Sequence, residues 1–102
     1  LPGVSTAWLA FPILLKENIS FNRKQFQIYL EERDIQTRVV FTGNILRQPM
    51  CRNIQKRVTR RGLANSDLIM KNGVLLPLHH GMTVEMFHRL HSTIDKFIQE
   101  FG

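Results

Sequence analysis

The sequence is nearly free of cysteine. Cys51 is the only one among 102 residues, so no disulfide can form within the chain. Disulfides are common in small secreted domains and rare in reducing compartments. We therefore predict a cytoplasmic protein.

Long hydrophobic runs are also missing. The longest apolar stretch, residues 7–15, contains Pro12 and is followed by Lys16. A helix that spans a bilayer needs about 20 apolar residues. No cleavable signal pattern occurs at the start of the chain. We expect no membrane partner.

Acidic residues are absent from residues 35–66, which hold seven of the 14 basic residues. The rest of the chain carries the other seven basic residues and all eight acidic ones, so the positive excess is confined to this segment. Such a patch attracts phosphates on a nucleotide-sugar, a nucleic acid or an acidic subunit.

The length and composition fit one globular domain. Hydrophobic residues make up 43% of the chain and charged residues 22%, which is not the composition of a disordered segment. A chain of this size has no room for a second core. Because it opens with Leu1-Pro2-Gly3, we expect residues 1–102 to be a single domain cut from a longer protein.

Hydrophobic periodicity and capping patterns predict alternating strands and helices. The strands are expected at 7–16, 35–41 and 74–79, the helices after Asn22, at 67–71 and after Thr83, and a long mobile loop at 50–63. This order predicts an α/β fold, a two-layer sandwich in which helices cover a sheet of about three strands.

The predicted strands are rich in apolar residues. The first one is apolar on both faces, which favours a strand that is buried on both sides or lies at a domain contact. Pro12 has no amide hydrogen, so it belongs on a sheet edge or at a bulge. Val39, Val40 and Phe41 predict a buried end for the second strand.

The helix boundaries carry local signals. Asn22 and Gln25 are spaced as in a capping box, and Phe21 can pack on Phe26 as a hydrophobic staple. Asn65 or Ser66 is expected to cap the short helix, and Asn72-Gly73 to end it in the left-handed conformation.

The last helix is expected to begin after Thr83, with Glu85 in its first turn, where the helix dipole favours a carboxylate. Its apolar residues recur at steps of three and four and predict one buried stripe. The stripe consists of Phe87, Leu90, Ile94, Phe97, Ile98 and Phe101. His88 and His91 flank it and are expected to be solvated.

The polar loop at residues 42–49 is the first candidate site. Thr42, Asn44, Arg47 and Gln48 follow a predicted strand, and Gly43 permits backbone angles that other residues resist. Binding residues are often carried on loops that a rigid scaffold positions. The alternative is an ordinary surface connection.

Several segments resemble one enzyme family. Phe41, Gly43-Asn44 and the Leu46 to Pro49 run are similar to the F-x-G-N-x-L-R-Q-P pattern of the DegT/DnrJ/EryC1/StrS sugar aminotransferase family. Further likeness lies in residues 7–15, 21–38, 65–73 and 78–83. The resemblance is greatest to the branch that includes CDP-4-keto-6-deoxy-D-glucose-3-dehydrase.

The resemblance implies an enzyme that uses pyridoxal phosphate or pyridoxamine phosphate and acts on a nucleotide-linked keto-sugar in lipopolysaccharide or deoxysugar biosynthesis. This chain would be the small C-terminal domain of a fold-type I enzyme, homodimeric when intact. The cofactor and the catalytic residues would belong to a large domain, so no catalytic or cofactor-binding residue is assigned here, and the chain alone is expected to be inactive.

The same resemblance suggests which side chains meet the substrate. Those that could contact sugar hydroxyls or the diphosphate are Arg38, Asn44, Arg47, Gln48 and His79. Arginine suits phosphate oxygens because its donors form a fork. In the structural alternative, Asn44 and Gln48 satisfy the loop backbone and Arg47 pairs with a carboxylate of the large domain.

Two other functions are open to the sequence, a metal site and an interaction domain. Adjacent His79 and His80 would point to opposite faces of a strand, and no acid or cysteine is near them, which argues against a metal site. A small basic RNA-binding or regulatory interaction domain is the alternative. Phe41 is the only aromatic residue of the second and third strands, and this argues against nucleic acid.

Overall fold

Three antiparallel strands and three helices form the domain, described here from a computed structural model for residues 2–102. In chain order the elements are β1 (Ala10–Leu14), α1 (Arg23–Glu31), β2 (Arg38–Val39), two 3-10 turns (Ile45–Arg47 and Pro49–Cys51), α2 (Ala64–Asn72), β3 (Gly73–Pro77) and α3 (Val84–Phe101). The predicted α/β fold with a small three-stranded sheet is confirmed.

The last strand in sequence is the central strand of the sheet, in the order β1-β3-β2. Ala10 lies opposite Pro77, and Arg38 lies opposite Leu75. Pro12 is therefore on an edge strand, as its missing amide hydrogen predicted. Because β1 and β2 are both edges, each has one side without a strand partner in the described sheet.

The core lies between one face of the sheet and helices α1 and α3. Phe97 of α3 is fully buried, and its ring meets those of Phe26 and Tyr29 edge to face at 5.1 Å. Val74 and Leu76 supply the sheet side of the same cluster. Edge-to-face geometry suits the aromatic quadrupole, so these contacts fix how α1 and α3 pack.

The start of α1 follows its local sequence. The Asn22 side chain accepts from the Gln25 amide at 3.0 Å, and the Gln25 side chain accepts from the Asn22 amide at 2.9 Å. The Phe21 and Phe26 rings stack at 6.3 Å. The predicted capping box and staple are both confirmed.

Helix α3 begins as predicted. Thr83 accepts from the Met86 amide at 3.3 Å. The pKa of Glu85 is lowered, first by its own backbone amide and then by the Thr83 hydroxyl. A carboxylate in the first helical turn is stabilised in this way because the free amides point towards it. His88 and His91 are exposed, as expected.

The predicted stripe of α3 is too wide. Leu90 and Phe97 are buried, and Ile94 and Phe101 pack against the core, but Phe87 and Ile98 are 38% and 51% exposed. Ile98 follows Phe97 by about 100° around the helix, so it turns away from the buried face. Phe87 lies in the first turn, one turn before the first buried position of the helix.

The first strand is shorter and more open than predicted. It begins at Ala10, and Trp8 and Leu9 before it are 63% and 88% exposed. Within this chain the prediction of burial on both faces is wrong, because the helices cover only one face of the sheet and β1 lies at its edge. The alternative prediction, a contact with another domain, remains open.

The second strand contains only Arg38 and Val39. Val39 and Phe41 are 45% and 80% exposed, so the predicted buried end is wrong. Phe41 has a φ of +46°, which takes the chain out of the extended conformation. The strand therefore ends before Phe41 can face the core.

Helix α2 departs from its predicted ends. It starts at Ala64 after Leu63, with no side-chain cap, so Asn65 and Ser66 are not its caps. Gly73 is extended (φ −76°, ψ 137°) and not left-handed, because β3 begins at this residue. A Cβ at Gly73 would lie 2.6 Å from the Ile69 carbonyl oxygen, so close packing requires the glycine here.

The remaining segments agree with the sequence in part. Residues 52–63 hold no helix or strand, as the predicted loop requires, although two 3-10 turns precede them. Their mobility stays a prediction. No described helix combines the length and the apolar character that a membrane span needs.

Candidate functional site

The five predicted substrate-binding residues occupy two places. Asn44, Arg47 and Gln48 lie in the loop between β2 and α2, where each has a partner within the chain. Arg38 and His79 line a groove on the side of the sheet without helices. Substrate binding by any of the five stays a prediction.

Asn44 is buried, with 2% of its surface exposed. Its Oδ1 accepts from the Leu46 amide at 3.0 Å, and its Nδ2 donates to Asp67 Oδ1 at 2.8 Å. The first bond caps the 3-10 turn at Ile45–Arg47. The second joins the loop to α2, so both ends of the amide serve the fold.

Arg47 forms a forked ion pair with Asp67. Its Nε lies 3.0 Å from Oδ1 and its Nη2 lies 2.8 Å from Oδ2. These bonds, followed by the one from Asn44, lower the pKa of Asp67 to about 2. The pKa of Arg47 is raised by the same pair. The pair uses two of the three guanidinium nitrogens and leaves Nη1 for another partner.

Gln48 completes the loop by donating from Nε2 to the Thr42 carbonyl oxygen at 2.9 Å. Gly43 adopts a φ of +66°, which an L residue resists. A Cβ there would lie 2.8 Å from the Met70 Cα, so α2 packs directly on this turn. Loop and helix thus form one rigid unit.

The groove has a volume of about 990 Å³ and runs along the outer face of the sheet. Its walls are mostly apolar, and no acidic residue lines it within residues 2–102. The lining includes Trp8, Arg38, Phe41, Leu75 and His79. Arg38 is exposed and makes no ion pair within the part of the chain described.

His79 is exposed and lines the groove, and its Nδ1 accepts from the Gly81 amide at 3.1 Å. That bond leaves Nε2 as the nitrogen open to a ligand. The rings of His79 and His80 are 6.4 Å apart and nearly perpendicular. In residues 2–102 no group of three histidine, cysteine or acidic side chains is placed to hold a metal ion.

Two features of the loop and the groove do not follow from the sequence. Asp67 lies in the 65–73 segment that resembles the family, but the sequence predicts only a helix start at this residue. It lies 23 residues from Asn44, so no local pattern indicated their bond. The sequence predicts a buried Phe41, and a Trp8 that is either buried or at a domain contact; in the structure both are exposed and line the groove.

The fold is similar to part of a pyridoxal-phosphate-dependent aminotransferase. It superposes with a TM-score of 0.67 on the crystal structure of a provisionally assigned PLP-dependent aminotransferase from Bacillus cereus. The identity is 28%, and the match covers 84% of this chain and 22% of that protein.

Sequence comparison shows the family to which the chain belongs. Residues 2–95 match the DegT/DnrJ/EryC1/StrS aminotransferase family, and the chain belongs to it, as its motifs predicted. It is 38% identical over 96 residues to the lipopolysaccharide biosynthesis protein RfbH of Salmonella typhimurium. It is 29% identical over 97 residues to dTDP-4-dehydro-2,6-dideoxy-D-glucose 3-dehydratase of Saccharopolyspora spinosa.

These relatives are much longer than the chain. The two matches cover 94% and 95% of this chain but only 21% of each relative. The chain thus spans about a fifth of the length of the relatives it matches.

Proposed function

We propose that this chain is the C-terminal domain of a pyridoxal-phosphate-dependent nucleotide-sugar aminotransferase or 3-dehydratase of lipopolysaccharide or deoxysugar biosynthesis. The observation that carries this proposal is the family match over residues 2–95. The names of the two relatives, a lipopolysaccharide biosynthesis protein and a nucleotide-sugar dehydratase, support the substrate class. A cytoplasmic homodimer is part of the same proposal.

The cofactor would be held by other parts of the intact enzyme. Pyridoxal phosphate supplies an electron sink for chemistry next to an amine, and aminotransferases hold it through a lysine. The chain has five lysines (Lys16, Lys24, Lys56, Lys71 and Lys96), and all of them are exposed. None lines the groove in residues 2–102, so the residues of this chain do not fit the cofactor.

The domain would help to close the active site and to bind the nucleotide-sugar. Arg38 and His79 support this role best, because both are exposed and open on one groove. Arg47 donates to Asp67 from Nε and Nη2, so its Nη1 is left to donate to a substrate oxygen. Asn44 and Gln48 would act by shaping the loop that carries Arg47.

The test compares this chain with the longer polypeptide that contains it. With pyridoxal phosphate and a nucleotide-linked 4-keto-sugar, we expect turnover and a cofactor absorbance band from the longer protein only. This chain alone should show no more than slow, unsaturable lysine adducts. A saturable cofactor complex with turnover by the chain alone would contradict the division of roles. Absence of turnover by the longer protein would contradict the proposed function.

A second candidate, RNA binding, is favoured by one observation. Arg52, Lys56, Arg57, Arg60 and Arg61 are all exposed. None of them forms an ion pair within residues 2–102. Phosphate-driven binding falls steeply as salt rises. Filter binding of a single-stranded RNA at two salt concentrations would show such a fall if this candidate is right, and no retention at either concentration if it is wrong.

A further inference from the structure

We propose that the groove on the outer face of the sheet binds the nucleotide part of an anionic nucleotide-sugar. The base would contact Trp8 and Phe41, and the diphosphate would bind Arg38. This inference rests on the proposed function and adds to it a place for the nucleotide.

The charge of the groove fits an anion. Arg38 is its only lining residue with a fixed charge within the described chain, and His79 adds an imidazole. Arg38 lies opposite Leu75 in the sheet register, so its guanidinium rises from a surface that is otherwise apolar. Arginine suits a diphosphate because its guanidinium presents a fork of donors to phosphate oxygens.

The aromatic residues fit a planar ring. Phe41 is 80% exposed and Trp8 is 63% exposed, and each presents a large apolar surface that the core does not use. Any nucleobase can stack on such a side chain, because every base has a flat π-face. An aromatic wall beside a cation can hold the base and the phosphate of one ligand.

The backbone at Phe41 supports a functional role. Its φ of +46° lies in the left-handed region, which is costly for a residue with a bulky side chain. The cost is not repaid by burial, since most of the ring is exposed. A strained and exposed aromatic residue beside a groove indicates a position kept for contact with a ligand.

The size of the groove agrees with this ligand. Ligand sites in proteins span about 300–1,000 Å³, and the groove lies near the upper end at about 990 Å³. It is therefore large enough for a base, a ribose and a diphosphate.

The first experiment titrates this chain with cytidine diphosphate, thymidine diphosphate and inorganic pyrophosphate, and follows the fluorescence of its single tryptophan, Trp8. The protein is kept at a concentration where sedimentation shows a monomer. We expect saturable quenching by both nucleotides. A response to protein concentration but not to nucleotide would mean that a second copy covers the groove, and would overturn the proposal.

Matched variants locate the site. Phe41→Ala should weaken nucleotide binding by about fivefold or more, the scale of a lost base–aromatic contact. Phe11→Ala should not, since Phe11 is 55% exposed but does not line the groove. Arg38→Gln should weaken nucleotides and abolish pyrophosphate binding, while Arg57→Gln should change neither. The proposal would be overturned if Phe41→Ala and Phe11→Ala had equal effects, or if Arg38→Gln and Arg57→Gln had equal effects. Circular dichroism verifies that each variant is folded.

A separate measurement distinguishes this inference from the proposed function. The same variants are assayed for nucleotide-sugar turnover in the longer polypeptide. If both Phe41→Ala and Arg38→Gln turn over the substrate with an unchanged KM, the proposed nucleotide site in the groove is wrong and the proposed function still stands. If the longer polypeptide shows no turnover at all, the proposed function fails, and the titration still decides whether the groove binds nucleotide.

Discussion

Arg47 and Asp67 are joined by two parallel hydrogen bonds, of 3.0 and 2.8 Å, across 20 residues of sequence. Asn44 donates a third bond to the same carboxylate. The loop that resembles the family most closely is thus tied to helix α2 by the side chains of its own motif. A motif residue can serve the substrate and the fold at once, and the two roles can be separated by experiment.

Removal of the buried amide should destabilise the loop. Asn44→Ala deletes the cap of the first 3-10 turn and the bond to Asp67, so we expect a loss of about 1–2 kcal/mol in the free energy of unfolding. Urea denaturation measures it. Asn53→Ala is the control, because Asn53 is exposed. Equal losses in the two variants would show that the Asn44 bonds contribute nothing.

The ion pair predicts a dependence on pH. The pKa of Asp67 is about 2 in the folded chain, while an unfolded aspartate titrates near about 3.9. The folded carboxylate binds its proton more weakly, so its contribution to stability is present above about pH 4 and is lost as the pH falls towards 2. The melting temperature of Asp67→Asn should lie below that of the wild type at pH 6, and the gap should close near pH 2. A gap of constant size would contradict the assignment.

Two glycines with similar backbone angles should respond differently to alanine. Gly43 and Gly62 have φ values of +66° and +67°, but only Gly43 packs against Met70. Gly43→Ala should therefore cost about 2–4 kcal/mol, from the left-handed backbone and the steric clash together. Gly62→Ala should cost about 1 kcal/mol, from the backbone alone. Thermal or urea unfolding measures the loss of stability in each variant. Equal losses would show that Met70 moves aside for the new Cβ without strain.

The chain alone should self-associate at high concentration. Phe11 and Leu14 lie on opposite faces of β1 and are 55% and 50% exposed, and large apolar side chains left open in this way favour contact with another domain or chain. Sedimentation should show association that Phe11→Ser with Leu14→Ser reduces. Val84→Ser is the control, since Val84 is 66% exposed on α3. A strict monomer that binds no hydrophobic dye would contradict the prediction.

Kinetics in the longer polypeptide test the substrate role of Arg47. If its free Nη1 meets the substrate, Arg47→Ala should lower kcat/KM by about ten- to a hundredfold, the scale of a lost hydrogen bond to a charged group. Arg57→Ala in the exposed loop should have much less effect. If Arg47 serves only the fold, its variant should lower the melting temperature and leave kcat/KM unchanged. Equal kinetic effects in both variants would indicate diffuse electrostatics and no specific contact.

Local features of the fold were predictable from the sequence. The Asn22–Gln25 box and the Thr83 cap depend on residues three positions apart, so their chemistry is complete within one turn. The edge position of Pro12 followed from its missing donor. Such signals do not depend on the rest of the chain.

Features that depend on tertiary placement were not predictable in this way. Val39 and Phe41 are apolar, but hydrophobicity does not show which face of a sheet the helices cover or where an edge strand ends. The bond between Asn44 and Asp67 joins segments that meet only in the folded chain. The five candidate residues could be named from the sequence. Only the structure shows that Arg38 and His79 lie in the groove while Asn44, Arg47 and Gln48 are hydrogen-bonded within the loop.

The position of β3 has a consequence for synthesis of the chain. β1 and β2 do not pair with each other, and each pairs only with residues 73–77. During translation both strands therefore emerge without a partner, and the sheet cannot assemble until β3 has left the ribosome. Until then the apolar residues of β1 are exposed to other nascent chains, so aggregation during synthesis competes with folding in this domain.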